Sequence, residues 1–102
     1  MLVYALALLA TIVIETGLAR VLLPRAWDRL RVDVPLLNLL SHPLLTWALW
    51  RDAVSIPTGE VLVMALEAVG YRVLTRLPWP VAILLSLVLN AVTWALGALI
   101  FP

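Results

Sequence analysis

From Leu2 to Leu23 the chain is an almost unbroken run of apolar side chains, and 22 residues wound as an α-helix reach far enough to cross the ~30 Å hydrocarbon core of a bilayer. Three more apolar stretches follow, at about 34–50, 59–77 and 81–101, leaving only 13% of the 102 residues charged. A soluble chain this short buries only about two-thirds of its unfolded surface, so it would display large apolar patches and aggregate. The expected solvent is therefore lipid. No basic residue precedes the first run, and the run exceeds the length of a signal-peptide core, so a transmembrane helix is expected there instead of a cleaved leader.

The breaks between runs are as informative as the runs. Pro24 ends the first helix, and Arg25, Trp27, Asp28, Leu30, Arg29, Arg31 and Asp33 lead to Pro35, which reads as an interfacial loop. Pro43, in the middle of the second helix, removes a backbone hydrogen bond and predicts a kink. Arg51 and Asp52 open a turn that closes at Pro57, Thr58 is the expected N-cap of the third helix, and Glu60 lies in its first turn. Pro78-Trp79-Pro80 separates the third helix from a fourth that carries no charge. Four spans with short connections predict an all-α, up-down-up-down integral membrane bundle, residues 1–102 forming one transmembrane domain.

Orientation follows from the arginines. Arg20, Arg25, Arg29, Arg31, Arg72 and Arg76 fall on one side and Arg51 on the other, placing the Arg-rich connections in the cytoplasm and both termini outside an inner (plasma) membrane. Trp27, Trp50 and Trp79 fall at the expected interfaces. No internal repeat stands out on inspection. A formal charge of +1 gives no reason to expect a nucleic-acid partner, and the absence of cysteine removes thiolate chemistry while leaving the redox compartment undetermined.

Polar residues at membrane depth carry the functional information, because an ionisable group there must be neutral, paired or hydrated. Glu15, His42, Glu67 and Asn90 all count to within about two turns of the bilayer centre, one on each helix. Positions three, four and seven apart share a helix face, which groups Asn38, Ser41, His42 and Thr46; Glu60, Glu67 and Tyr71; and Ser86, Asn90 and Thr93. Four such faces are satisfied together if they turn inward. Ser41, Thr46, Ser86 and Thr93 fit interhelical hydrogen bonding, and Ala91, Ala95 and Ala98 fit a packing seam. A carboxylate is different, since an amide would join helices with less desolvation.

Glu15, Asn38, His42, Glu67 and Asn90 are accordingly the expected ion- or substrate-binding cluster, with Glu60, Tyr71 and Ser86 secondary. The leading expectation is binding or transport of a small ion or cationic solute, the two carboxyls exchanging a proton for it. An accessory or assembly subunit of a larger membrane complex is the alternative, and a membrane-embedded metal site built on His42 with the two glutamates, or an enzyme, is the third. Catalytic signatures such as HExxH, a nucleophile elbow or a glycine-rich phosphate loop are missing, and no cofactor is expected. The lipid bilayer and a second copy or larger complex are the expected partners.

Two family resemblances rest on these residues. An acidic residue two-thirds along the first of four helices, with Ile56-Pro57-Thr58-Gly59 entering the third, resembles the small multidrug resistance transporters and implies that Glu15 is a proton and cation exchange site in an antiparallel homodimer. Where that family has a tryptophan and further glycines after Gly59, this chain has Glu60, Met64 and Glu67. Over nearly the whole chain, Glu15-Thr16, Asn38-Leu39-Leu40-Ser41-His42-Pro43, Glu60, Glu67, Tyr71, Ser86 and Asn90 resemble small four-helix bacterial membrane proteins of unassigned function. That likeness implies a shared polar core and no particular activity.

Overall fold

The computed structural model describes residues 2–100, without the side chains of Val3 and Ile100. It is all-α. Among the described residues the chain forms α1 (Leu2–Leu22), a single 3-10 turn (Pro24–Ala26), α2 (Trp27–Trp50), α3 (Ile56–Val73) and α4 (Trp79–Ile100). The helices pack in a ring, α1 on α2, α2 on α3, α3 on α4 and α4 back on α1. The longest dimension is 37 Å, close to the rise of 22 to 24 helical residues.

The largest departure from expectation is the start of the second helix. The charged stretch after Pro24 is not a loop: α2 begins at Trp27 and runs unbroken past both Pro35 and Pro43 to Trp50. Leu30, Val34, Leu37, Asn38, Ser41 and Leu45 recur at three- and four-residue spacing and are all buried, so one continuous face holds the segment in the bundle. Pro35 frees the carbonyl of Arg31 at the exposed, charged end of the helix, where water can satisfy it.

The third helix also differs. Its N-cap is Ser55, three residues before the expected Thr58; the Ser55 hydroxyl accepts from the Thr58 amide at 3.4 Å, and Pro57 occupies the first turn, where its missing N–H is not needed. α3 ends at Val73, short of Leu77, and Arg76 turns the chain in the left-handed region at φ 61°. The turn is fastened to the first turns of α2. The Thr75 hydroxyl donates to Asp33 Oδ2 at 2.7 Å, and Arg29 donates to the Thr75 carbonyl at 3.3 Å. The fourth helix starts at Trp79, two residues early, and Phe101 lies outside the described residues.

The interior is layered. Ala19, Leu30, Val34, Leu37, Tyr71, Ala82, Leu85 and Leu89 form an apolar cluster toward the arginine-rich end. Next to it lie Glu15, Asn38, Ser41, Glu67, Ser86 and Asn90, all buried. The outer surface is largely apolar, with Val21, Trp50 and Leu99 each more than three-quarters exposed. The accessible surface of 6761 Å² exceeds the roughly 5,700 Å² expected for a soluble monomer of this mass. By length and composition α1 (Tyr4–Leu22) and α4 (Trp79–Leu99) are long and apolar enough to cross a membrane. α2 falls short because Asp33, Asn38, Ser41, His42 and two prolines interrupt even its least charged 18 residues, and α3 because it carries Glu60, Glu67 and Arg72.

Candidate functional site

The two mid-helix glutamates point inward. Glu15 and Glu67 are both fully buried, on α1 and α3, which are not neighbours in the ring. Between them stand α2 and α4, and each of these supplies one amide and one hydroxyl. Glu15 Oε1 accepts from Asn38 Nδ2 at 3.3 Å and its Oε2 accepts from Thr93 Oγ1 at 3.0 Å. Glu67 Oε1 accepts from Asn90 Nδ2 at 2.7 Å and its Oε2 accepts from Ser41 Oγ at 3.4 Å. All four donors are neutral, so no arginine compensates either carboxyl through these bonds.

Local helix geometry aims the donors. Asn38 Nδ2 also donates to the Val34 carbonyl at 2.9 Å, and Asn90 Nδ2 to the Ser86 carbonyl at 2.8 Å. These bonds, each one turn back, orient both amides with nitrogen toward the carboxyl. Thr93 behaves differently. Its hydroxyl lies within 3.1 Å of the Leu89 and Asn90 carbonyls as well as near Glu15, but it has one proton to give. When that proton goes to a backbone carbonyl, the oxygen can accept a hydrogen bond from a protonated Glu15. One hydroxyl therefore serves the carboxyl with or without its proton.

The remaining expected residues divide. Asn38, Glu67, Asn90 and Glu15 come together as the spacing predicts. His42 does not join them. It is half-buried at the edge of the inward face of α2, and its Nε2 has no hydrogen-bond partner among the described residues. No group of three or more His, Asp or Glu side chains suited to a metal ion occurs among the described residues. Tyr71, one turn beyond Glu67, is fully buried with its hydroxyl unpartnered, and Asn38 Oδ1 is likewise buried and unpartnered. Ser86 donates to the Met64 carbonyl at 2.7 Å, tying α4 to α3 beneath Asn90. Glu60 is half-buried and, with Trp94, Met64 and Asn90, lines a partly open groove of about 290 Å³ between α3 and α4.

Thr93 and Ser41 form the interhelical hydrogen bonds expected of them, and the acceptor in each case is a carboxyl. Their signal lay in the parallel spacing of Asn38-x-x-Ser41 and Asn90-x-x-Thr93, which sets a hydroxyl one turn beyond each amide. Compared with known protein families, curated proteins and solved structures, the chain matches none.

Proposed function

We propose that this chain is a four-span, up-down-up-down membrane protein, arginine-rich connections in the cytoplasm, that binds and passes a small cation or cationic solute in exchange for a proton on Glu15 and Glu67. The observation that carries this reading is the pair of fully buried carboxyls with only neutral donors around them. A helix-joining role would be served by amides with far less desolvation, and intramembrane acids without a basic partner mark ion pathways and proton relays. The groove lined by Glu60, Trp94 and Asn90 supports an entry route. It leads from a half-buried carboxylate to the amide that holds Glu67. A total accessible surface above that expected of a soluble monomer, with large apolar side chains exposed on every helix, supports lipid as the surrounding medium for all four helices.

The test is flux. Purified protein in vesicles loaded with a pH-sensitive dye should dissipate an imposed proton gradient when a permeant cation is supplied outside. Glu15→Gln and Glu67→Gln should each bring that rate to the level of protein-free vesicles, and undiminished flux in both variants refutes the proposal.

A second reading, an accessory subunit, draws support from α4. Ala91, Ala95, Gly97 and Ala98 line a shallow groove beside the exposed Trp94, a surface on which another transmembrane helix can approach closely. It predicts a defined membrane partner that co-purifies in mild detergent and no autonomous flux.

A further inference from the structure

Set against itself with an offset of 52 residues, the sequence matches at the positions that matter. Glu15 falls on Glu67, Arg20-Val21-Leu22 on Arg72-Val73-Leu74, Trp27 on Trp79, Leu37-Asn38 on Leu89-Asn90, and Ser41 on Thr93. The match escapes inspection because the residues between differ in kind, as with Pro24 against Arg76, His42 against Trp94 and Pro43 against Ala95.

The contacts repeat with the residues. Each glutamate takes its amide from the asparagine 23 positions later, and each asparagine also bonds the carbonyl one turn before it. The hydroxyls cross over, Ser41 of the first half to Glu67 of the second and Thr93 of the second half to Glu15 of the first. Arg20 lies 5.4 Å over the Trp27 ring and Arg72 lies 5.9 Å over the Trp79 ring. Exchanging α1–α2 with α3–α4 leaves the ring of helix contacts unchanged. These relations describe a pseudo-two-fold axis running along the bundle between the two carboxyls.

We infer that the chain is a tandem duplication of one helical hairpin, and that Glu15 and Glu67 are equivalent halves of a single site that holds one small monovalent cation, an alkali ion or a proton, between them. The cation rests on the function proposed above; the equivalence of the halves does not. Each carboxyl has two of its roughly four lone-pair sites occupied by the amide and the hydroxyl, leaving the others open. The buried, unpartnered Asn38 Oδ1 adds an acceptor that only a cation or a proton donor can use. Two like charges in electrostatic reach of one another inside a low-dielectric core cannot both stand bare, so the pair must act as a unit. One positive charge is the unit of exchange.

Other titratable groups face the pair from one side only. Glu60 and Tyr71 come from α3, bracketing Glu67 at seven and four residues, and Asp33 and His42 come from α2. Their counterparts at the 52-residue offset, Leu8, Ala19, Leu85 and Trp94, are uncharged; beyond Glu15, α1 carries Tyr4 near its start and Arg20, which lies over Trp27, and α4 carries no titratable group. Glu60 bears on both glutamates, so it does not by itself distinguish them.

The experiment is an infrared pH titration of the protonated-carboxyl stretch, using the full chain in phosphatidylcholine vesicles. Read as the difference from a Glu15→Gln/Glu67→Gln double variant, the wild type should lose that band in two separated steps. On that scale Glu15→Gln and Glu67→Gln should each leave one step, at the same pH to within about one unit, the double variant itself retaining only the band of the chain's other carboxyls, Asp28, Asp33, Asp52 and Glu60 among them. A first step that moves between sodium and choline buffers identifies the alkali ion; one that stays identifies the proton. A chain with the hairpins in reversed order, residues 53–102 followed by 1–52, keeps both acids and should show the same two steps. A single wild-type step, single-variant midpoints further apart than about one unit, or loss of the two steps in the reordered chain would overturn the inference. Two steps without flux would refute transport and leave the paired site standing.

Discussion

Replacing Asn90 by alanine removes the shortest bond to either buried carboxyl, 2.7 Å to Glu67 Oε1, together with the 2.8 Å bond to the Ser86 carbonyl. Glu67 is then left with Ser41, 3.4 Å from its other oxygen. Interhelical hydrogen bonds within membranes average about 0.6 kcal/mol and reach about 1.7 kcal/mol, so this short bond to a carboxyl is expected near the top of that range, about 1.5 kcal/mol. Asn38→Ala removes the same atoms from an equally buried place but breaks a 3.3 Å bond to Glu15, for which about 0.5 kcal/mol is expected. The volume lost is identical in the two variants, so the cavity contribution largely cancels and a difference of about 1 kcal/mol remains. Reversible unfolding in dodecylmaltoside micelles titrated with dodecyl sulfate, followed by far-ultraviolet circular dichroism, resolves a difference of that size. In a Glu67→Ala background the cost of Asn90→Ala should shrink by about 1.5 kcal/mol, since the shared bond is already gone. If Asn90→Ala is no more destabilising than Asn38→Ala, or its cost is unchanged in the Glu67→Ala background, the assignment of strength by bond length is wrong.

Other outcomes follow from the same contacts. Thr93→Ser keeps a hydroxyl for Glu15 and should preserve flux, whereas Thr93→Val removes it and should slow proton exchange in the vesicle assay without changing helix content. Thr75→Val breaks the 2.7 Å bond to Asp33 and should raise amide hydrogen exchange across the turn at 74–78 while leaving α1 protected. Gly70→Ala would place a Cβ against both methyl carbons of Leu37, and is expected to destabilise the α2–α3 contact by about 1–3 kcal/mol in the micelle titration. Ser55→Ala removes the N-cap of α3 and should lower stability by about 1 kcal/mol in the same assay.

The number of helices and the inward faces were legible because both rest on simple periodicities. Run length separates four helices, and three- and four-residue spacing places Asn38 with Ser41 and Ser86 with Asn90, as the buried polar layer bears out. The start of α2 was misread because Pro24, Pro35 and five charges look like a loop when taken one at a time. The stronger signal was Leu30, Val34 and Leu37, a buried stripe that continues the inward face through the charged segment. His42 was placed in the cluster because it is four residues from Asn38, but the inward line of α2 runs through Ser41 to Leu45 and leaves the imidazole at its rim. The crossing of hydroxyls between hairpins had no local signal at all. Thr93 reaches a residue 78 positions away, and only the closed ring of helices brings the two together.

The distribution of apolarity among the helices bears on how the protein is made. α1 and α4 are the pair long and apolar enough by composition to cross a membrane, and they touch each other. Glu15 is synthesised long before Thr93, 78 residues later, and Glu67 precedes Asn90 in the same way. A chain cut short before its final helix carries two acids stripped of half their donors.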